Sequence, residues 1–223
     1  IPRWGMYSSK QNWKKENMSN NDLTFITNEE NQTLKDRFRV LIKYAQSFDA
    51  LVGYFYTSGF SAIYPALENT EKIRILIGIS TNRQTFDLIS NSQKEEQLEL
   101  AFSHGETKKI FETEVAKELE DSEDDESVEK SIATFVSWIK SGKLEIKAYP
   151  SQRIHAKLYI MTFDENFPDR GRVITGSSNM TQSGLVDNLE FNVELKNVSD
   201  YQFAKDKFEE LWQDAVDVNE KYI

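Results

Sequence analysis

The sequence has no cysteine and only two histidines, His104 and His155. The missing cysteines exclude disulfides and thiolate-bound zinc, and two histidines so far apart in sequence argue against a histidine-built metal site. Whatever chemistry the chain performs is therefore expected to run without a metal or an organic cofactor. There is also no run of 18 apolar residues, and no apolar stretch near the N-terminus of the kind found in signal peptides. A cytoplasmic protein without membrane association is the expectation.

What is present suffices for one sizeable core. The 223 residues are 39% hydrophobic and 12% aromatic, within the size at which a single domain buries most of its apolar surface. Residues 1–22 are polar and lack periodicity, and are read as a loose leader; the domain is expected over residues 23–223. The formal charge of −10 is unevenly spread. Between Glu112 and Lys130 ten acidic residues face two lysines, whereas Lys140–Arg172 carries seven basic residues against four acidic ones. Overall acidity thus does not exclude an anionic ligand near the second segment.

Periodicity divides the domain into helical and extended parts. Leu34, Phe38, Leu41, Ile42 and Ala45 recur at helical spacing, with Asn31 or Thr33 available as a cap. ALVGYFY (Ala50–Tyr56) and KIRILIGI (Lys72–Ile79) read as buried strands around a helix over Gly59–Asn69. Residues 83–142 read as mostly helical, with the acidic stretch as an insertion. Strands are expected at Leu144–Tyr149, Ile154–Phe163, Arg172–Thr175 and Asn188–Leu195, and a closing helix over Tyr201–Val216. The implied fold class is α/β, a mixed sheet flanked by helices, and no internal repeat is visible.

On an extended Ile154–Phe163, His155 and Lys157 share a face with Tyr159, and Ile154, Ala156, Leu158 and Ile160 share the other. An imidazole beside an ammonium suits an anion: lysine supplies charge and three donors, and histidine attacks or transfers protons near neutral pH. The next strand runs into Gly176-Ser177-Ser178-Asn179, whose hydroxyl and amide groups can donate to phosphate oxygens. Asn188, Glu190, Asn192 and Glu194 alternate on one face of the strand after that, so a carboxylate can join the same cavity.

The series His155-Ala156-Lys157, then Gly176-Ser177-Ser178-Asn179, then Glu190 eleven residues after Asn179, resembles the phospholipase D superfamily. The resemblance is to its single-motif nuclease branch, including the domain ahead of some superfamily 2 helicases and the metal-independent restriction nucleases. It implies a single-repeat phospholipase D-like fold. It further implies that His155 attacks a phosphodiester to give a phosphohistidine, that Lys157, Ser177 and Asn179 hold the phosphate oxygens, and that Glu190 orients the imidazole. The partners implied are DNA or RNA, and further modules of a larger helicase or restriction polypeptide.

Thr162 stands where the fuller signature has Asp, with Asp164 nearby, and the Asp164–Gly171 loop is an insertion that could gate access. His104 lacks a lysine at the right spacing and reads as a surface residue. The second histidine that the superfamily uses is therefore expected from a second copy, making a homodimer. Two other functions compete: a noncatalytic nucleic-acid-binding or dimerisation module, favoured by Thr162, and a lipid phosphodiesterase, disfavoured by the single motif and the lack of a membrane-binding helix.

Overall fold

The computed structural model describes residues 24–29, 32–81, 87–90, 125–149 and 154–218. The leader, His104 and the acidic stretch up to residue 124 lie outside them. Along the chain come β1 (Phe25–Ile26), α1 (Leu34–Ile42), β2 (Ala45–Phe55), α2 (Thr57–Leu67), β3 (Lys72–Thr81), α3 (Asp125–Lys140), β4 (Leu144–Ala148), β5 (Leu158–Phe163) and β6 (Gly171–Gly176). A π-helical turn at Ser183–Asp187, then β7 (Asn192–Leu195), α4 (Val198–Gln213) and β8 (Val216–Asp217), complete it. All eight strands form one sheet in the order β1-β7-β6-β5-β2-β3-β4-β8. β2, β3 and β4 run parallel, and the remaining pairings are antiparallel. The expected mixed sheet flanked by helices is the fold.

Helices cover both faces, which is why β2 and β3 read as unbroken apolar runs rather than as alternating ones. Phe48, Ala50 and Val52 pack on one side with Phe38 of α1, Ile63 of α2 and Phe135 of α3. On the other side Leu51 and Leu76 join Ile160, Val173 and the α4 residues Tyr201, Phe208 and Trp212. Tyr159 is fully buried in the first cluster and Ile160 in the second. β5 therefore has no polar face, and His155 and Lys157 lie just before it instead of on it. Residue 154 departs toward β3, its N–H donating to the Gly78 carbonyl at 3.3 Å.

Two elements differ from expectation because buried charges disguise them. β2 starts at Ala45, five residues earlier than its apolar run, since Asp49 is fully buried by pairing with Arg74 at 2.7 Å and with Lys205 of α4. β7 starts only at Asn192, and its alternating polar residues point inward. Asn192 bonds Ser178, and Glu194 is paired with Arg37 of α1 and Arg172 of β6. Of that polar set, Asn192 and Glu194 are thus structural, while Leu189 and Phe191, expected on the core-facing side, are exposed.

Thr162 and the Asp164–Gly171 loop lie at the other end of β5 from Lys157, about 16 Å away along five residues of strand. There Thr162 accepts a hydrogen bond from Tyr201 at 2.9 Å, and Asp164 accepts from Gln46 and Asn166. Neither belongs with His155, and the loop cannot gate that end of the sheet.

Asn28, in the left-handed region with φ of 60°, ties three segments together. Its side-chain oxygen accepts from the Leu34 N–H opening α1 at 2.8 Å, and its amide nitrogen donates to the carbonyls of Gly184 and Asn188 at 3.1 and 3.0 Å. At roughly 1 kcal/mol for each bond, Asn28→Gly, which loses the three bonds but keeps the dihedral easily, is expected to cost about 3 kcal/mol in urea unfolding, and Asn28→Ala, which must also hold a left-handed φ, about 1 kcal/mol more. The Arg74 hydrogen bond, outweighing partial burial, holds the Glu209 carboxyl below its ordinary 4.5. The folded value lies below the unfolded one, so this contribution is complete above the unfolded pKa and lost as pH falls through the folded pKa. Unfolding free energies measured from about pH 6 down to about pH 3 should fall less steeply in Glu209→Gln than in the parent.

Candidate functional site

The carboxyl ends of β2, β3, β4 and β6 and the amino ends of β5 and β7 meet at one end of the sheet, and the expected site residues gather there. The register Leu158↔Thr175 and Gly176↔Asn192 sets β5, β6 and β7 side by side. The Lys157 carbonyl accepts from the Thr175 hydroxyl at 2.9 Å and from the Gly176 N–H at 3.3 Å, which fixes the H-x-K segment against the G-S-S-N turn. Gly176 is glycine because β7 comes so close: a Cβ there would lie 2.2 Å from the Phe191 carbonyl oxygen and 2.5 Å from Asn192 Oδ1.

Beyond Gly176 the side chains alternate. Ser178 points inward and is fully buried, its carbonyl accepting from the Tyr159 hydroxyl at 2.9 Å and its Oγ from the Asn192 amide at 2.9 Å. Burial pushes the Tyr159 phenol far up, with the Glu190 charge adding to it, so it stays a neutral donor. Ser177 and Asn179 point the other way. The Ser177 hydroxyl donates to Glu190 Oε2 and accepts the Phe191 N–H at 3.0 Å, so its proton is committed to the carboxylate rather than left for a ligand. Asn179 Oδ1 accepts the Tyr54 N–H at 3.1 Å. Only the oxygen can accept from an N–H, so the amide orientation is fixed and Nδ2 remains a donor.

Asn179 and Glu190 line a cavity of about 200 Å³ with Tyr54, Tyr56, Ser183 and Asn188. His155, Lys157 and Ser177 do not line it. His155 is exposed, and its ring has no hydrogen-bond partner among the described residues. The Lys157 ammonium donates to the His155 carbonyl at 2.7 Å, which leaves its other two protons available. Glu190 itself is placed by its backbone, whose N–H donates to the Thr27 carbonyl at 3.2 Å, and it lies before β7 rather than within it. Sequence reasoning missed Tyr54 and Tyr56, and placed Asn188 on the face of Glu190 without giving it a role. Alternate tyrosines at the end of a buried strand were the available signal, hidden inside an apolar run.

At this end of the sheet Lys157 offers an ammonium, Asn179 an amide and His155 an exposed imidazole, groups suited to an anion, while Glu190 adds a carboxylate to the cavity lining. Among the described residues no three His, Asp or Glu side chains converge as ligands for an ion, and no helix is long and apolar enough to cross a membrane.

Of solved structures, NucT from Helicobacter pylori is similar over 83% of this chain and 91% of its own, at 12% identity and a TM-score of 0.45. Nuc from Salmonella typhimurium, a phospholipase D family member, is similar over 83% and 90% at 14% identity and a TM-score of 0.40. TrmBL2, an archaeal chromatin protein described as having a novel mode of DNA binding, is similar over 87% of this chain and 53% of its own, at 16% identity and a TM-score of 0.41. No curated protein matches the sequence. The family model described as "Cardiolipin synthase, PLD-like domain" matches residues 38–212. With the greater part of its length so matched, the chain belongs to the phospholipase D-like domain family.

Proposed function

We propose that the protein is a nuclease, a phosphodiesterase that cleaves DNA or RNA through a phosphohistidine without a metal ion. The observation that carries this reading is the gathering of His155, Lys157, Ser177, Asn179 and Glu190 at one end of the sheet from three separate segments. Lys157 and Asn179 Nδ2 counter the charge on the non-bridging oxygens, the role that contributes most in reactions where charge builds up. A neutral His155 nitrogen forms a bond to phosphorus while the bond to the leaving oxygen breaks. Glu190, whose second carboxylate oxygen is not taken by Ser177, receives the N–H of the attacking ring and fixes its tautomer.

The departing oxygen needs a proton, and one chain supplies one suitable histidine. A protonated His155 of a second copy would give that proton, then take one back from the water that breaks the phosphorus–nitrogen bond. Proton and phosphoryl group both balance over the two steps. The apolar surface beside the site favours such pairing. Phe25, Leu189 and Phe191 are 62%, 66% and 63% exposed, and Leu189 and Phe191 flank Glu190. Nucleic-acid affinity beyond the site would come from other modules, in keeping with a place in a helicase or restriction polypeptide. Thr162 no longer favours a noncatalytic module, because its hydroxyl is engaged far from the H-x-K segment.

Incubated with plasmid and single-stranded DNA or RNA in excess EDTA, the protein is expected to cleave, and His155→Ala to lose at least a thousandfold of the rate, the order of loss on removing an activated nucleophile. Cleavage that appears only with added magnesium overturns the mechanism; binding without cleavage in either condition leaves the noncatalytic module. Light scattering is expected to give twice the 25.9 kDa of one chain, with Phe191→Glu shifting it toward one. A parent protein that is monomeric at micromolar concentration removes the proposed proton donor.

A further inference from the structure

We propose that the cavity beside Glu190 is a subsite for a nucleobase, that of a nucleotide next to the scissile phosphate. The inference rests on the phosphodiesterase reading above and names what the site recognises besides the phosphate. Tyr54 and Tyr56 stand two apart, and Tyr56 keeps extended dihedrals at φ −128° and ψ 151° before α2 begins. Residues two apart on extended backbone point to one side, and both of these line the cavity. Their separation along the chain is about 6.6 Å. Carbon atoms pack best about 3.5 Å apart, so the spacing of the two residues leaves room for one planar ring against their phenols.

The rest of the lining selects against other occupants. Asn188 offers both a donor and an acceptor, which is what the hydrogen-bonding edge of a base requires. Among the described residues the lining contains no lysine or arginine, and it contains the Glu190 carboxylate. A second phosphate is therefore repelled, and the uncharged part of a nucleotide is what fits. Nor does any aliphatic side chain among the described residues line it, so an acyl chain would gain little there. Asn179 joins the two halves of the site: its Oδ1 holds the Tyr54 backbone while Nδ2 stays free for phosphate, which keeps the aromatic pair at a fixed offset from the reacting group.

The test measures binding, so it does not depend on turnover. In the exposed-site variant His155→Ala, fluorescence anisotropy compares a labelled single-stranded hexathymidylate with an abasic hexamer of the same backbone. The base-bearing strand is expected to bind roughly tenfold tighter or more, the scale of one stacked base. Tyr54→Ala and Tyr56→Ala should each remove most of that difference without weakening the abasic strand. Tyr54→Phe, keeping the ring, should retain it. Equal affinity for both strands, equal weakening of both by the tyrosine variants, or binding of neither overturns the subsite. Base-dependent binding in a protein that never cleaves would sink the catalytic reading and leave the subsite standing; cleavage with base-independent binding does the reverse.

Discussion

The site hangs on one close passage of backbone. Residues 177–181 cross the open end of β2 beneath the first turn of α2, with the Tyr56 N–H donating to the Met180 carbonyl at 3.2 Å and Phe55 bridging Met180 in parallel. Only glycine at position 59 permits it, since a Cβ there would sit 2.2 Å from that same carbonyl oxygen. Met180 is fully buried. With its main chain wedged between strand and helix, the preceding turn cannot slide, and a one-residue slip would exchange the inward Ser178 for the outward Ser177 and Asn179.

From that passage the remaining geometry follows by hydrogen bonding. Tyr159 and Asn192 satisfy the buried Ser178, which costs nothing in function because it carries none, and their grip turns its two neighbours outward. Asn179 then reaches Tyr54 and Ser177 reaches Glu190. On the far side of the cavity Asn28 holds the carbonyls of Gly184 and Asn188, and the adjoining Thr27 carbonyl takes the Glu190 N–H. Buried polar groups that are fully bonded in this way specify one arrangement at little net cost, whereas a partly bonded set would be expensive.

Motif order and strand periodicity made the fold class and the strand, helix, strand unit of β2, α2 and β3 readable, and they are also what nominates the five candidate residues. The position of those residues was less readable. The alternation of Arg153 to Ile160 satisfies a period of two and so reads as a strand through His155 and Lys157, but the pairing of β5 with β2 ends at Leu51↔Leu158, and the Ile154 N–H turns to the Gly78 carbonyl of β3, a contact distant in sequence. Glu194 looked equivalent to Glu190 by spacing, yet the difference between them is tertiary: Arg37 and Arg172, distant in sequence, neutralise one, and the other meets only a hydroxyl. Tyr54 and Tyr56 were read as core for the converse reason. Their neighbours Val52 and Phe55 are core, and a pattern of apolar letters does not register where the sheet ends.

A chain with a net charge of −10 holding a phosphate is less paradoxical once distance is considered. Exposed charges are screened over about 8 Å at physiological ionic strength, so among the described residues an anion at the end of the sheet would respond to Lys157, Asn179 and Glu190 and only weakly to charges elsewhere on the surface. Of these, Glu190 is the adverse one, and its hydrogen bond from Ser177 draws that charge toward the protein and away from where phosphate oxygens would lie. A single ammonium against a singly charged phosphodiester is an even match. In the proposed reaction a second negative charge would develop on the oxygens as phosphorus accepted the incoming nitrogen, and a second copy, bringing its own Lys157 and a protonated His155, would add to the groups that counter it.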